Sequence, residues 1–189
     1  MHDAAPTSFD QDIPLAKGYD LLVKITAIGI NPVDAKVKAS ITSRLEKPRV
    51  IGWDAVGIVV AAGDKTTLLN VGDTVYYAGD ISRPGCYASH QLVDERIAAK
   101  APSVLKPEQS AVMPLTSITA WEAIFSRLKI FPQYDDGKTI LIIGGAGGVG
   151  SIAIQLAKVV AKLNVVTTAS RPESESWCRR LGADHVLDH

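Results

Sequence analysis

Residues 140–158 read ILIIGGAGGVGSIAIQLAK, and no other stretch restricts the fold of this chain so much. Ile140–Ile143 is short, all-apolar and rich in β-branched residues, as a strand buried on both faces of a parallel sheet is. Glycines follow at once, and Ile152, Ile154, Leu156, Ala157 and Val160 then supply the apolar content of a helix that docks on a sheet. Between them Gly145, Gly147 and Gly150 fit G-x-G-x-x-G. In that pattern the first glycine permits a tight turn and the second lets backbone approach a pyrophosphate. The third allows close helix–strand packing, and amides at the helix N-terminus face the phosphates. A glycine-rich turn without a ligand is the bland alternative. The strand before the glycines and the helix after them favour a dinucleotide site, with Ala146, Gly147, Gly148 and Val149 as the backbone positions that meet the pyrophosphate.

The identity of the dinucleotide is read one strand later. Val165–Ala169 (VVTTA) is the second strand, and at its end an acidic residue would hold the ribose hydroxyls of NAD. Ser170 and Arg171 stand there instead, a hydroxyl and a guanidinium that suit a 2′-phosphate, so NADPH is expected over NADH. Ser170 can equally be the cap of the following helix, with Pro172 near its start and Glu173 and Glu175 in its first turn. The two roles are compatible.

Upstream, from Leu21 to about Ala101, five β-rich runs (LLVKITAIGI, VGIVVAAG, DTVYYAG, CYASHQLVD, IAAKAP) are punctuated by glycines, as in a compact, partly open β-barrel. Helices are expected from Pro107, with Ser103 as an upstream cap, and over Thr116–Arg127. Asp135, Asp136 and Gly137 then turn the chain into the glycine-motif strand. Twenty basic residues balance twenty acidic ones, and no basic run breaks that balance, which argues against a nucleic-acid partner. The two cysteines, Cys86 and Cys178, stand alone, so neither a disulfide framework nor a zinc ribbon is suggested. No stretch has the length and apolarity of a membrane span, and the N-terminus lacks a signal-peptide pattern, so a soluble, cytoplasmic protein is expected.

Six motifs, GINPVDAKV, GWDAVGIVVAAG, VGDTVYYAG, SITAWEAI, GGAGGVGSIAIQLAK and LGADHVLDH, follow one another in an order and spacing that resembles the medium-chain dehydrogenase/reductase superfamily. They look most like its zinc-free quinone oxidoreductase branch, often labelled zinc-type alcohol dehydrogenase-like. The resemblance runs from about Leu21 to His189. It implies an α/β chain with a GroES-like, partly open β-barrel domain over 1–105 and a helical connection over 106–137. The first part of a Rossmann NADP-binding domain would follow over 138–189, with NADPH in the cleft between the domains.

Zinc-binding members place a cysteine where Asn31 stands and a histidine–glutamate pair where Trp53 and Asp54 stand. A catalytic zinc takes three protein ligands of the His, Cys and Glu kind. Asn31 and Trp53 are not such ligands, and the PLTSITAWE segment offers no cysteine, so no zinc is expected. Val33 replaces the hydroxyl that relays the alcohol proton in those members. The resemblance then puts Asn31 near nicotinamide and substrate, where its amide can hydrogen-bond a carbonyl oxygen as charge builds there. Asp34 holds the NPVD segment, taken as a loop, or acts directly; Lys36 stabilises an enolate or is a solvated surface lysine; Thr119 lies near the nicotinamide end or is an ordinary helix residue. Trp53 and Trp121 read as core or cleft-lining, His90 and His185 as strand residues, and Cys86 as part of a turn.

The expected activity is an NADPH-dependent, zinc-independent reduction of quinones or α,β-unsaturated carbonyl compounds by direct hydride transfer. The alternatives are a zinc-free NADP-linked alcohol or aldehyde oxidoreductase, and a non-catalytic nucleotide-binding or structural relative. A small-molecule substrate and, in the full-length form, a homodimer go with the resemblance. A complete dinucleotide-binding domain has six strands. This chain supplies three, the last near His185–Leu187, so the sequence is expected to be a piece of a longer enzyme with weak or no activity alone.

Overall fold

The computed structural model describes residues 7–43 and 45–188 and forms two compact units, one ending at Leu115 and the other beginning at Thr116. In the first unit the β-rich runs become β1 (Asp20–Gly29), β2 (Asp54–Ala62), β3 (Thr74–Ala78), β4 (His90–Asp94) and β5 (Ala98–Lys100). They pair antiparallel in the order β4-β1-β2-β3-β5. Period-two alternation chooses the faces: Val75 and Tyr77 of β3 and Gln91 and Val93 of β4 are buried, and the residues between them are more exposed. Their apolar members join Leu21, Val23, Ala55, Val59, Leu69 and Cys86 in one core. β1 slips register against β2 at Leu22/Val23 and Ile25/Ala27, and such bulges bend a strand and let a sheet curl toward the partly open barrel that the sequence implies.

The NPVD segment is not a loop. It begins a helix, α1 (Pro32–Ser40), and the reason is local. Asn31 is extended at the N-cap, Pro32 presets the first helical φ, and the Asp34 carboxylate reaches back 2.8 Å to accept from the Asn31 amide. This is half of a capping box. The Asn31 side chain makes no cap bond and is directed elsewhere.

The next three helices also start on proline. α2 (Pro107–Ala111) has Lys106, not Ser103, at its N-cap, and Gln109 Oε1 accepts from the Lys106 amide at 3.0 Å. It packs so tightly against the end of β1 that a Cβ on Gly29 would lie 2.6 Å from the Ala111 carbonyl oxygen. α3 (Pro114–Trp121) passes into a wider π-turn over Glu122–Arg127, and a short α4 (Pro132–Asp135) follows.

In the second unit β6 (Thr139–Ile142), β7 (Asn164–Thr168) and β8 (His185–Leu187) form a parallel sheet in the order β6-β7-β8. They are joined by α5 (Gly148–Gln155), which ends in a π-turn over Leu156–Val160, and by α6 (Pro172–Arg180). Ile142 and Val165 pack with Ile154, Ala157, Leu163 and Cys178. Leu141 and Ile143, of opposite parity, are 57% and 69% exposed, so this run is covered on one face, and not on both faces as its apolar sequence suggests. Among the described residues no helix is long and apolar enough to cross a membrane.

One buried carboxylate fastens a loop of the first unit. Glu95, 1% exposed in the 3-10 turn Glu95–Ile97, accepts from the amides of Thr67 and Leu68 at 2.9 Å and more weakly from Leu69 at 3.4 Å. Glu95→Ala removes the acceptor and strands those donors. It is expected to lower the unfolding free energy by about 3 kcal/mol in urea denaturation, against under 1 kcal/mol for an exposed carboxylate such as Glu108.

Candidate functional site

The glycine loop is shaped by β7. Gly144 takes the left-handed conformation (φ +68°), so the turn falls on the residue before the motif rather than on Gly145. Its amide donates to Thr168 Oγ1 at 2.9 Å, and the Gly145 amide donates to the Thr168 carbonyl at 3.1 Å. Gly145 itself is glycine because a Cβ there would lie 2.0 Å from Thr167 Oγ1. That hydroxyl is pinned by donating to the Ile142 carbonyl at 2.6 Å. Gly150 fills the role its place in the motif predicts, since a Cβ there would lie 2.5 Å from the Gly144 carbonyl oxygen.

The result is an exposed stretch, Gly147–Val149, at the start of α5. The Gly147 amide is committed to the Gly144 carbonyl at 3.0 Å. The first-turn amides of Gly148 and Val149 have no acceptor within the helix, and no side chain caps it. Backbone donors at a helix N-terminus, on a loop too tight for side chains, fit the pyrophosphate of a dinucleotide. Ala146, half-buried, leads into them. Thr119 is exposed on α3, one turn beyond Thr116, whose methyl group would sit 3.0 Å from a Cβ on Gly148. Ser170 and Arg171 are both exposed at the end of β7. Arg171, not Ser170, occupies the N-cap of α6, with no side-chain cap bond, and Pro172, Glu173 and Glu175 fill the first turn.

In the first unit Asn31 and Asp34 join residues that the motif alone does not reveal. Asp54, at the start of β2 and 0% exposed, accepts from Asn31 Nδ2 at 3.0 Å through Oδ2 and from the Leu115 amide at 2.9 Å through Oδ1. Asp34 Oδ2 accepts from Tyr87 Oη at 2.9 Å as well as from the Asn31 amide, and Asp34 Oδ1 is buried with no partner among the described residues. Burial pushes the Asp54 carboxyl from 3.8 up to about 6; the bonds from Asn31 and Leu115 oppose the rise, and Asp34 adds to it. Burial likewise pushes the Cys86 thiol up to about 12, so this cysteine is no ready nucleophile. Tyr87 is also held well above the usual phenol range, first by burial and then by its bond to Asp34. Lys36 projects from α1 into solvent, two residues from Asp34 and away from the cluster.

Trp53 is buried and donates from Nε1 to the Asp80 carbonyl at 3.1 Å. Trp121, half exposed, is not core; its ring packs on Phe125. His90 and His185 begin β4 and β8. Among the described residues no three His, Cys, Asp or Glu side chains converge as a metal site would require. The signal for Asp54 was present in sequence, as an acid inside the apolar run GWDAVGIVV; Tyr87 carried none.

Two outcomes follow from these contacts. Gly145→Ala forces its methyl group onto Thr167 and is expected to destabilise the second unit by about 1–3 kcal/mol; Thr167→Ala in the same chain should recover part of the loss in a double-mutant cycle. Because its folded-state value is raised, Asp54 contributes most to stability below pH 3.8, and that contribution is lost as pH rises through about 6. The stability of Asp54→Asn relative to the parent chain should therefore rise by about 2–3 kcal/mol between pH 4 and pH 7, measured by urea denaturation.

The model of the alcohol dehydrogenase GroES-like domain matches residues 17–103. A zinc-type alcohol dehydrogenase-like protein of Staphylococcus aureus is 47% identical over 183 residues, covering 96% of this chain and 54% of that protein. The chloroplastic NADPH-dependent alkenal/one oxidoreductase of Arabidopsis thaliana is 34% identical over 187 residues, covering 94% of this chain and 47% of that protein. The crystal structure of Escherichia coli quinone oxidoreductase complexed with NADPH superposes with a TM-score of 0.76 at 26% identity, over 94% of this chain and 53% of that one. The chain thus spans about half the length of the relatives it matches. Residues 17–103 are therefore an alcohol dehydrogenase GroES-like domain, and the relatives that match along nearly the whole chain, named for likeness to alcohol dehydrogenase and for quinone or alkenal reduction, are members of the medium-chain dehydrogenase/reductase superfamily.

Proposed function

We propose that this chain serves an NADPH-dependent, zinc-independent reduction of quinones or α,β-unsaturated carbonyl compounds. The observation that carries the proposal is the glycine loop, whose exposed helix-start amides lie at one sheet end with Ser170 and Arg171 exposed after the neighbouring strand. The names of two relatives, an NADPH-dependent alkenal/one oxidoreductase and a quinone oxidoreductase, support the same substrate class. When bound, the cofactor supplies a hydride to the electrophilic carbon of the conjugated system.

The chain's own residues have simpler tasks. Gly148 and Val149 receive the pyrophosphate on their amides, and Arg171, with Ser170, receives the 2′-phosphate. Thr119 is assigned to the nicotinamide end. Asn31 donates from its amide to the carbonyl oxygen on which negative charge accumulates. Asp34 fixes the start of α1, and Lys36, exposed on the solvent side of that helix, is assigned no part in the reaction. Zinc independence is supported by the donor set: an amide at 31, and at 53 an indole committed to Asp80. A cytoplasmic homodimer belongs to the same proposal, on the family resemblance.

Paired titrations with NADPH and NADH, followed by nicotinamide fluorescence, test the cofactor assignment. NADPH is expected to bind more tightly, and Arg171→Ala should weaken NADPH by about 1–3 kcal/mol while leaving NADH unchanged. Equal affinities for the two would overturn the assignment. Turnover of a benzoquinone or an enone should survive dialysis against a chelator, and its loss there would refute zinc independence.

A further inference from the structure

The buried carboxylate under Asn31 offers a role that neither the helix nor the core requires. Asn31 caps α1 through its backbone alone, because the helix receives no bond from its side chain. Its Nδ2 instead points at Asp54 Oδ2. An amide has one donor edge and one acceptor edge, so a partner that fixes the first also fixes where the second faces. We propose that Asp54 is a positioning residue for Asn31, and that its protonation state decides which edge of the Asn31 amide is offered to a ligand.

The bonding leaves little freedom. An ionised Asp54 accepts only, so Nδ2 must turn toward it; Oδ1 and a single remaining N–H of Asn31 are then available outward. When Asp54 takes up a proton, Oδ1 of Asp54 is already engaged by the Leu115 amide, so the proton sits on Oδ2. Oδ2 becomes a donor, and the Asn31 amide rotates to accept from it through its own Oδ1. Both N–H groups of Asn31 then face outward. Among the described residues, Asp34 from α1 and Cys86 from the segment before β4 are the titratable groups that act on Asp54, and Tyr87 of the same segment bonds Asp34. Cys86 and Tyr87 remain protonated through the neutral range because burial raises both, and Asp34 raises Asp54. With Asp54 at about 6, the exchange falls near neutral pH. If Asn31 is the carbonyl-binding group proposed above, carbonyl reduction gains a second donor as pH falls through that value; the orientation of the amide does not depend on that proposal.

The test is nuclear magnetic resonance of the isotope-labelled chain without cofactor or substrate. The Asn31 side-chain NH2 signals, assigned by their loss in Asn31→Ala, are expected to move in one step centred near pH 6, with the same midpoint as the Asp54 Cγ signal. In Asp54→Asn that step should vanish while the dispersed backbone spectrum persists. Flat Asn31 signals in the parent chain, a midpoint different from that of Asp54, or a step that survives in Asp54→Asn would each overturn the proposal. If Asp54→Asn does not fold, the shared midpoint in the parent chain decides alone. A pH profile of kcat/KM with an enone is a separate arm: its step should be lost in Asp54→Asn. Absence of turnover at every pH would count against the proposed activity and leave the amide result standing.

Discussion

Buried carboxylates that accept from backbone amides fix the first unit in place. Glu95 takes the amides of the loop at Thr67–Leu69, Asp54 takes that of Leu115, and Asp34 takes that of Asn31. Each joins segments far apart in sequence or closes a helix start, where the apolar core of β1–β5 does not reach. A charge-assisted bond to an amide is about twice as strong as a neutral one, which makes a carboxylate an effective fastener for irregular backbone. The same choice makes these places sensitive: losing the acceptor strands several donors at once.

The second unit solves a different problem with hydroxyls. A phosphate-binding turn must keep its amides turned outward, yet the loop has few side chains with which to hold itself. β7 supplies the support through two consecutive threonines on opposite faces. Thr168 catches the Gly144 amide, and Thr167, tied to the Ile142 carbonyl, presses against the bare Cα of Gly145. The glycine motif and the second strand are therefore one device, and the constraint on Gly145 comes from a residue twenty-two positions later.

Much of this was legible in sequence because it rests on periodicity and on glycine. The five strands of the first unit, the three of the second and the glycine turn come from alternation and punctuation, which local chemistry sets. α1 is hidden when NPVD is read as a loop, although Asn31, Pro32 and Asp34 spell a helix start. Ser103 and Ser170 have the chemistry of caps, yet the chain places Lys106 and Arg171 at those positions, because Pro107 and Pro172 fix where each helix begins. The left-handed turn residue Gly144 and the supports Thr167 and Thr168 depend on contacts across β6 and β7, and no single-sequence pattern records those.

The buried acids among the described residues of the first unit, Glu95, Asp34 and Asp54, are not alike, and the difference marks the site. Glu95 is satisfied by amides from successive residues and sits beside a loop with no further chemistry. Asp34 keeps one oxygen buried without a partner among the described residues, and Asp54 is held in an environment that raises it to about 6. A buried acid that resists ionisation lowers stability at neutral pH, and a neutral side chain of similar shape at position 54 would relieve that penalty. Local rules of folding are broken most often where another demand overrides them. Both acids that break them converge on Asn31, one through its backbone amide and one through its side chain. That convergence, more than the identity of any one residue, sets Asn31 apart from an ordinary helix cap.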